Sequence, residues 1–104
     1  MQVVRIDKKG RALDHAVTLK KSENDSVIWI ALGNGGPWKI TFDKQNVVPP
    51  GSPFGDDDFT VPQGSYVPSG PIDGNPNGTY KYNVRDPKKP LPNNITDDPD
   101  VDVE

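Results

Sequence analysis

Short stretches of the chain alternate between apolar and polar positions. The clearest is Gly78 to Val84, where Tyr80, Tyr82 and Val84 recur every second residue and Thr79, Lys81 and Asn83 fall between them. A period of two marks a strand with one buried face and one wet face. Two tyrosines bring enough apolar area to predict a central core strand. Trp38 to Phe42 alternates as cleanly, with Trp38, Ile40 and Phe42 on one face and Lys39 and Thr41 on the other. Gln2–Ile6, Ala16–Leu19, Phe59–Val61 and Val101–Val103 are shorter strand candidates. Val27–Leu32 is apolar on both faces. That pattern predicts a strand covered on both sides, or one with a partner on its outer face. Its shortness, its β-branched residues and the Asn34-Gly35-Gly36-Pro37 loop after it favour a strand over a buried helix.

Between these runs lie polar and proline-rich segments. Asp7–Arg11, with Gly10, and Ser22–Ser26 read as turns. Residues 43 to 77 are the least regular third of the chain, with seven prolines and many glycines. A loop of that length is usually functional or mobile, and Phe54, Phe59, Val61, Tyr66 and Val67 are spaced to pin it down. Arg85 to Pro99 reads as a second proline-rich loop. About seven short strands, no helix and no repeat predict a single all-β domain over residues 1–104, a Greek-key β-sandwich.

Composition narrows the function. Only 32% of the 104 residues are hydrophobic, so the core must be economical. Twelve prolines and ten glycines are distributed as punctuation between strands. The net charge of −3 carries no general attraction for nucleic acid or anionic lipid. A basic stretch at residues 5 to 21 faces an acidic one at Asp97, Asp98, Asp100, Asp102 and Glu104. No aromatic residue interleaves the basic side chains, so two solvated surfaces are the simpler reading. With no cysteine there is no disulfide, thiol catalysis or thiolate metal site. No run reads as a membrane span or a signal peptide. A native Met1 places the expected compartment in the cytoplasm, and a removed leader places it outside.

Several of these stretches resemble the cupredoxin family of plastocyanin- and azurin-type proteins. Asp25-Ser26-Val27-Ile28-Trp29-Ile30 resembles the strand that enters the cupredoxin core with a valine and a tryptophan. Pro37 to Asp43, followed by Val48-Pro49-Pro50-Gly51, is similar to the strand that starts with proline and a copper-binding histidine. Gly78 to Val84 is similar to the strand carrying the copper cysteine, and Val101-Asp102-Val103 to the closing strand. The resemblance implies a two-sheet Greek-key sandwich. A blue-copper centre needs two imidazoles and a thiolate, with a weak axial ligand. The matching positions here hold Trp38, Val84 and Pro87, and no methionine follows Met1. The resemblance therefore implies a copper-free domain without a cofactor, and such domains serve as structural or interaction modules.

Other candidate chemistry is sparse. Trp29 reads as a core residue. Trp38 reads as a core or core-edge residue filling the missing site, with an exposed platform for a sugar, peptide or other ligand as the other reading. His15 is the only histidine and reads as a solvated loop residue beside Asp14, with no second histidine or cysteine to share a metal. No nucleophile and orienting group can be nominated around it. Asp73, Asn75 and Asn77, followed by Gly78, match the start of a calcium loop. Val84 stands where that loop needs a glutamate, and an Asn/Gly/Pro turn accounts for the same residues. Asp56-Asp57-Asp58 and Asp97-Asp98-x-Asp100 are carboxylate clusters that could chelate a hard cation, and they also guard sheet edges. Asn24, Asn77 and Asn94 head glycosylation-type triplets of a kind that arises by chance.

The expected function is a non-catalytic binding or interaction module for a protein or small-ligand partner, without nucleic acid or membrane insertion. Ile28, Ile30, Trp38 and Phe54, together with loop 43–77, are the expected contact surface, and a homodimer through a sheet face is one form it could take. The alternative is a calcium-binding β-domain that uses loop carboxylates. A small enzyme is the least expected class.

Overall fold

The computed structural model describes residues 1–74, 76–90 and 93–104. Asn75 of the calcium-type motif lies outside them. Nine strands form two packed sheets: β1 Gln2–Ile6, β2 Ala16–Leu19, β3 Val27–Ala31, β4 Trp38–Phe42, β5 Asp58–Val61, β6 Tyr66–Pro68, β7 Gly78–Arg85, β8 Ile95–Asp97 and β9 Asp100–Val103. No α-helix occurs among the described residues; a short 3-10 turn, Lys21–Glu23, stands where the sequence predicts a turn.

The smaller sheet has the order β1-β3-β6, with β1 parallel and β6 antiparallel to β3. The larger runs β2-β9-β7-β4-β5, with β8 also paired to β7. In it β2 lies parallel to β9, and the other pairs are antiparallel. β7, predicted to be central, is flanked by β4 on one side and by β8 and β9 on the other.

Period two decides which residues enter the core. Val4 and Ile6 of β1, and Val27, Trp29 and Ala31 of β3, face Ile40, Phe42, Val61, Tyr80, Tyr82, Val84 and Val101 of the larger sheet. Trp29 is fully buried at the centre of an aromatic cluster. Its ring centroid lies 5.0 Å from Phe59, 5.8 Å from Tyr82, 6.2 Å from Phe42 and 6.3 Å from Phe54. Most of these pairs are edge-to-face, the geometry that ring quadrupoles favour.

The strand count exceeds the predicted seven because β6 and β8 were hidden inside predicted loops. Each has only three residues, too few to show a period. β6 also ends in Pro68, which is tolerated because β6 is an edge strand. Ser69 N–H reaches Val27 O, and Ser65 O accepts Ala31 N–H. Tyr66 and Pro68 therefore turn their backbone groups to the free edge, where the missing N–H of Pro68 also blunts pairing with another chain. Loop 43–77 is thus not structureless. It contains β5, β6 and a turn in which the buried Ser52 donates its N–H to Asp57 Oδ1 at 2.8 Å and accepts Phe54 N–H at 3.0 Å.

Candidate functional site

The outer face of the smaller sheet is largely apolar although nothing among the described residues covers it. On β3, Ile28 and Ile30 alternate with the buried Val27, Trp29 and Ala31 and lie half-buried on the opposite face. Register sets Val3 and Pro68 on either side of Ile28, and Arg5 and Tyr66 on either side of Ile30. Ile28–Pro68 and Ile30–Tyr66 fall at non-hydrogen-bonded positions, where side chains approach most closely. Val3 remains 42% and Tyr66 59% exposed. The one charged residue in these rows is compensated: Arg5 Nε and Nη2 reach the Asp14 carboxylate at 2.9 and 3.0 Å. Hydrogen bonds from the Arg5 side chain and backbone hold the Asp14 carboxyl below its ordinary range.

Two expected contact residues are not on this face. Phe54 is 4% exposed and packs edge-on against Trp29 and Phe42. Its position after Ser52 folds it inward, because the Ser52 hydroxyl closes a tight turn around its backbone. Trp38 is 4% exposed and so offers no stacking platform. Its ring lies between Gly10 and Gly36: a Cβ on Gly10 would stand 2.9 Å from Trp38 Cζ3, and one on Gly36 3.3 Å from its Nε1.

The positions that match the copper ligands offer no donor set for copper. Trp38 and Val84 are buried core residues, Val84 opposite Ile40, and Pro87 is exposed in a turn. An indole, an isopropyl group and a pyrrolidine ring supply neither imidazole nitrogen nor thiolate. In place of that chemistry, the end of the sandwich near Trp38 holds a cleft of about 260 Å³. The indole N–H of Trp38 is buried without an acceptor among the described residues, a state that costs about 1–3 kcal/mol. Lys8, Lys88 and Asp86 also line the cleft.

The carboxylate candidates separate. Asp57 closes its own turn and lies 3.5 Å from Lys44. Asp100 pairs with Lys81 at 2.8 Å. Asp73 is exposed, and no group of three metal-ligating His, Asp or Glu side chains among the described residues includes it. His15 is exposed, and the carboxylate it meets is not that of its neighbour Asp14. Asp14 turns to Arg5, while His15 Nε2 lies 3.2 Å from Asp97 Oδ1. Pairing of β2 with β9 makes this contact, and Asp97 Oδ2 is fixed by the Ala12 N–H at 2.8 Å. His15, Asp97 and Asp98 bring ligand atoms within 4.8 Å of one another. Only the acidic run was legible in sequence, since the histidine is 82 residues away.

A second cleft, of about 320 Å³, runs beside β4, where Asp43, Asp58, Lys44 and Arg85 balance one another in formal charge. Asp43 also accepts a hydrogen bond from Asn83 Nδ2 at 2.8 Å.

No family model matches the chain, and no curated protein does. Function therefore rests on the geometry of this one chain.

Proposed function

We propose that the chain is a non-catalytic interaction module of copper-free cupredoxin-like, Greek-key topology that docks a protein partner through the outer face of β1-β3-β6. One observation carries the reading: Ile28 and Ile30 stand in two rows, apolar but for the ion-paired Arg5, that no other part of the described chain covers. Burial of apolar area drives association, and charge is depleted at the centres of interfaces. The topology reading rests on strands forming at four of the resembling stretches, β3, β4, β7 and β9. The non-catalytic part rests on the shortage of chemistry, since the only histidine is engaged with Asp97 at the surface.

The face is small. Three strands about 4.8 Å apart and five residues long give about 14 by 16 Å, well under the roughly 800 Å² per partner of a stable interface. Self-association through this face alone is expected to be weak, and a partner must extend beyond it. A photo-crosslinking residue in place of Tyr66 should capture the partner, while the same residue in place of Lys39, on the other sheet, should not. Ile30→Asp should abolish the Tyr66 adduct and leave the fold intact. Equal yields at the two positions would sink the reading. An adduct of the chain with itself would make the partner a second copy.

Cation binding through loop carboxylates is the second reading, favoured by the convergence of His15, Asp97 and Asp98. An imidazole with two carboxylates suits a transition ion such as zinc better than calcium, which takes six to eight oxygens.

A further inference from the structure

We infer that the cleft over Trp38 is a binding site for a small oxyanion, a carboxylate or phosphate group on a small-molecule ligand. Three donors of different origin converge there. Lys8 comes from the turn after β1, Lys88 from the segment after β7, and Trp38 from the start of β4. Neither lysine forms an ion pair among the described residues. Lys88 Nζ spends one donor on Gly36 O at 3.2 Å. An ammonium carries three donors, so two remain, and a charged acceptor binds them about twice as strongly as a carbonyl. Trp38, which also lines the cleft, carries the third donor, an indole N–H that is buried and has no acceptor among the described residues.

Glycine keeps the site open. A Cβ on Gly33 would stand 2.6 Å from Lys8 Cε, so the stem of Lys8 lies in the space that a side chain would fill. A Cβ on Gly36 would crowd the indole nitrogen. Both glycines also have positive φ, +60° and +94°, which side-chain-bearing residues rarely adopt.

Electrostatics select the sign of the ligand. The chain is acidic overall, at −3, yet Lys8 and Lys88 against Asp86 leave this cleft with one surplus positive charge. Asp86 opposes an anion, but it is partly engaged: its Oδ1 accepts Lys88 N–H at 3.0 Å, and it is 8% exposed. The cleft beside β4 has no such surplus.

The chain has two tryptophans, so a ¹⁵N correlation spectrum resolves two indole N–H signals. That of Trp38 is the one that vanishes in Trp38→Phe. Inorganic phosphate and acetate are titrated separately against chloride at constant ionic strength. The Trp38 indole signal should move saturably with phosphate, acetate or both, and the anion that works identifies the class. Lys8→Ala/Lys88→Ala, both exposed and outside the core, should raise the midpoint about tenfold or more with the melting temperature unchanged. A Trp38 signal that stays still, or that moves with chloride to the same extent, overturns the site. An unchanged midpoint in the folded double variant does so as well.

Discussion

Two buried tyrosines and one surface aspartate make the residue-scale chemistry testable. The Tyr82 hydroxyl is fully buried and, among the described residues, has no hydrogen-bond partner in good geometry. Burial pushes its pKa far above the ordinary tyrosine value; the nearby Trp29 indole N–H partly offsets the rise, and Asp97, Asp100 and Asp14 add to it. Burial also raises that of Tyr80, whose hydroxyl donates to Pro76 O at 2.6 Å. A raised folded pKa gives stability that is complete below the unfolded value and lost as pH climbs above it. Stability should therefore fall above about pH 10. Tyr82→Phe should cost less than about 1 kcal/mol at neutral pH, because no well-formed hydrogen bond is lost, and should flatten the alkaline fall. Urea unfolding across that range checks both, and an alkaline slope as steep as the parent's would refute the assignment. Asp14 runs the other way. Its lowered carboxyl stabilises the fold above the ordinary aspartate pKa of about 4, and that gain is lost as pH falls towards the folded value. The advantage of the parent over Asp14→Asn should be present at neutral pH and vanish in acid. An advantage that persists in acid would locate it elsewhere.

At the scale of the element, β3 separates folding from binding by residue parity. Its inward positions meet the aromatic core, and its outward positions meet the apolar rows of β1 and β6. Trp29→Ala should destabilise by about 3–5 kcal/mol, the range for emptying a large aromatic site. Ile28→Asp, one residue away, should leave the melting temperature nearly unchanged and weaken association. Wholesale unfolding of Ile28→Asp would mean that the outer face is part of the fold and not a docking surface. Edge strand β6 limits the same face. Its three residues and Pro68 keep the free edge from extending the sheet into another chain, which directs contact to the face.

At the scale of the whole molecule, the two parallel pairings, β1 with β3 and β2 with β9, gather segments that are distant in the chain. Lys8, Lys88 and Trp38 line one cleft, and the pairing of β2 with β9 brings His15 to Asp97 and Asp98. A ligand that binds only the folded state raises the melting temperature by mass action. If the histidine cluster holds an ion, zinc should raise the midpoint more than calcium does, EDTA should reverse the rise, and His15→Gln should abolish it. Identical melts with zinc, calcium and EDTA would end the cation reading. A calcium rise that is insensitive to His15→Gln would return attention to Asp73.

The sequence by itself determined the inside and outside of each longer strand. The period of two is a local property, and Tyr80, Tyr82, Val84, Ile40 and Phe42 entered the core as their spacing predicted. It also marked Ile28 and Ile30 as outward-facing apolar residues, because a strand alternates whatever its neighbours are. Pairing partners, by contrast, are set by long-range packing, to which a local period is blind. Only the tertiary structure joined Ile28 to Val3 and Pro68, His15 to Asp97, and Lys8 to Lys88. Phe54 shows the same limit from the other side. It is a large aromatic beside a turn, with no strand period to orient it, and the Ser52 turn decided its burial. Trp38 shares the parity of Ile40 and Phe42, and Gly10 and Gly36 leave room for its ring.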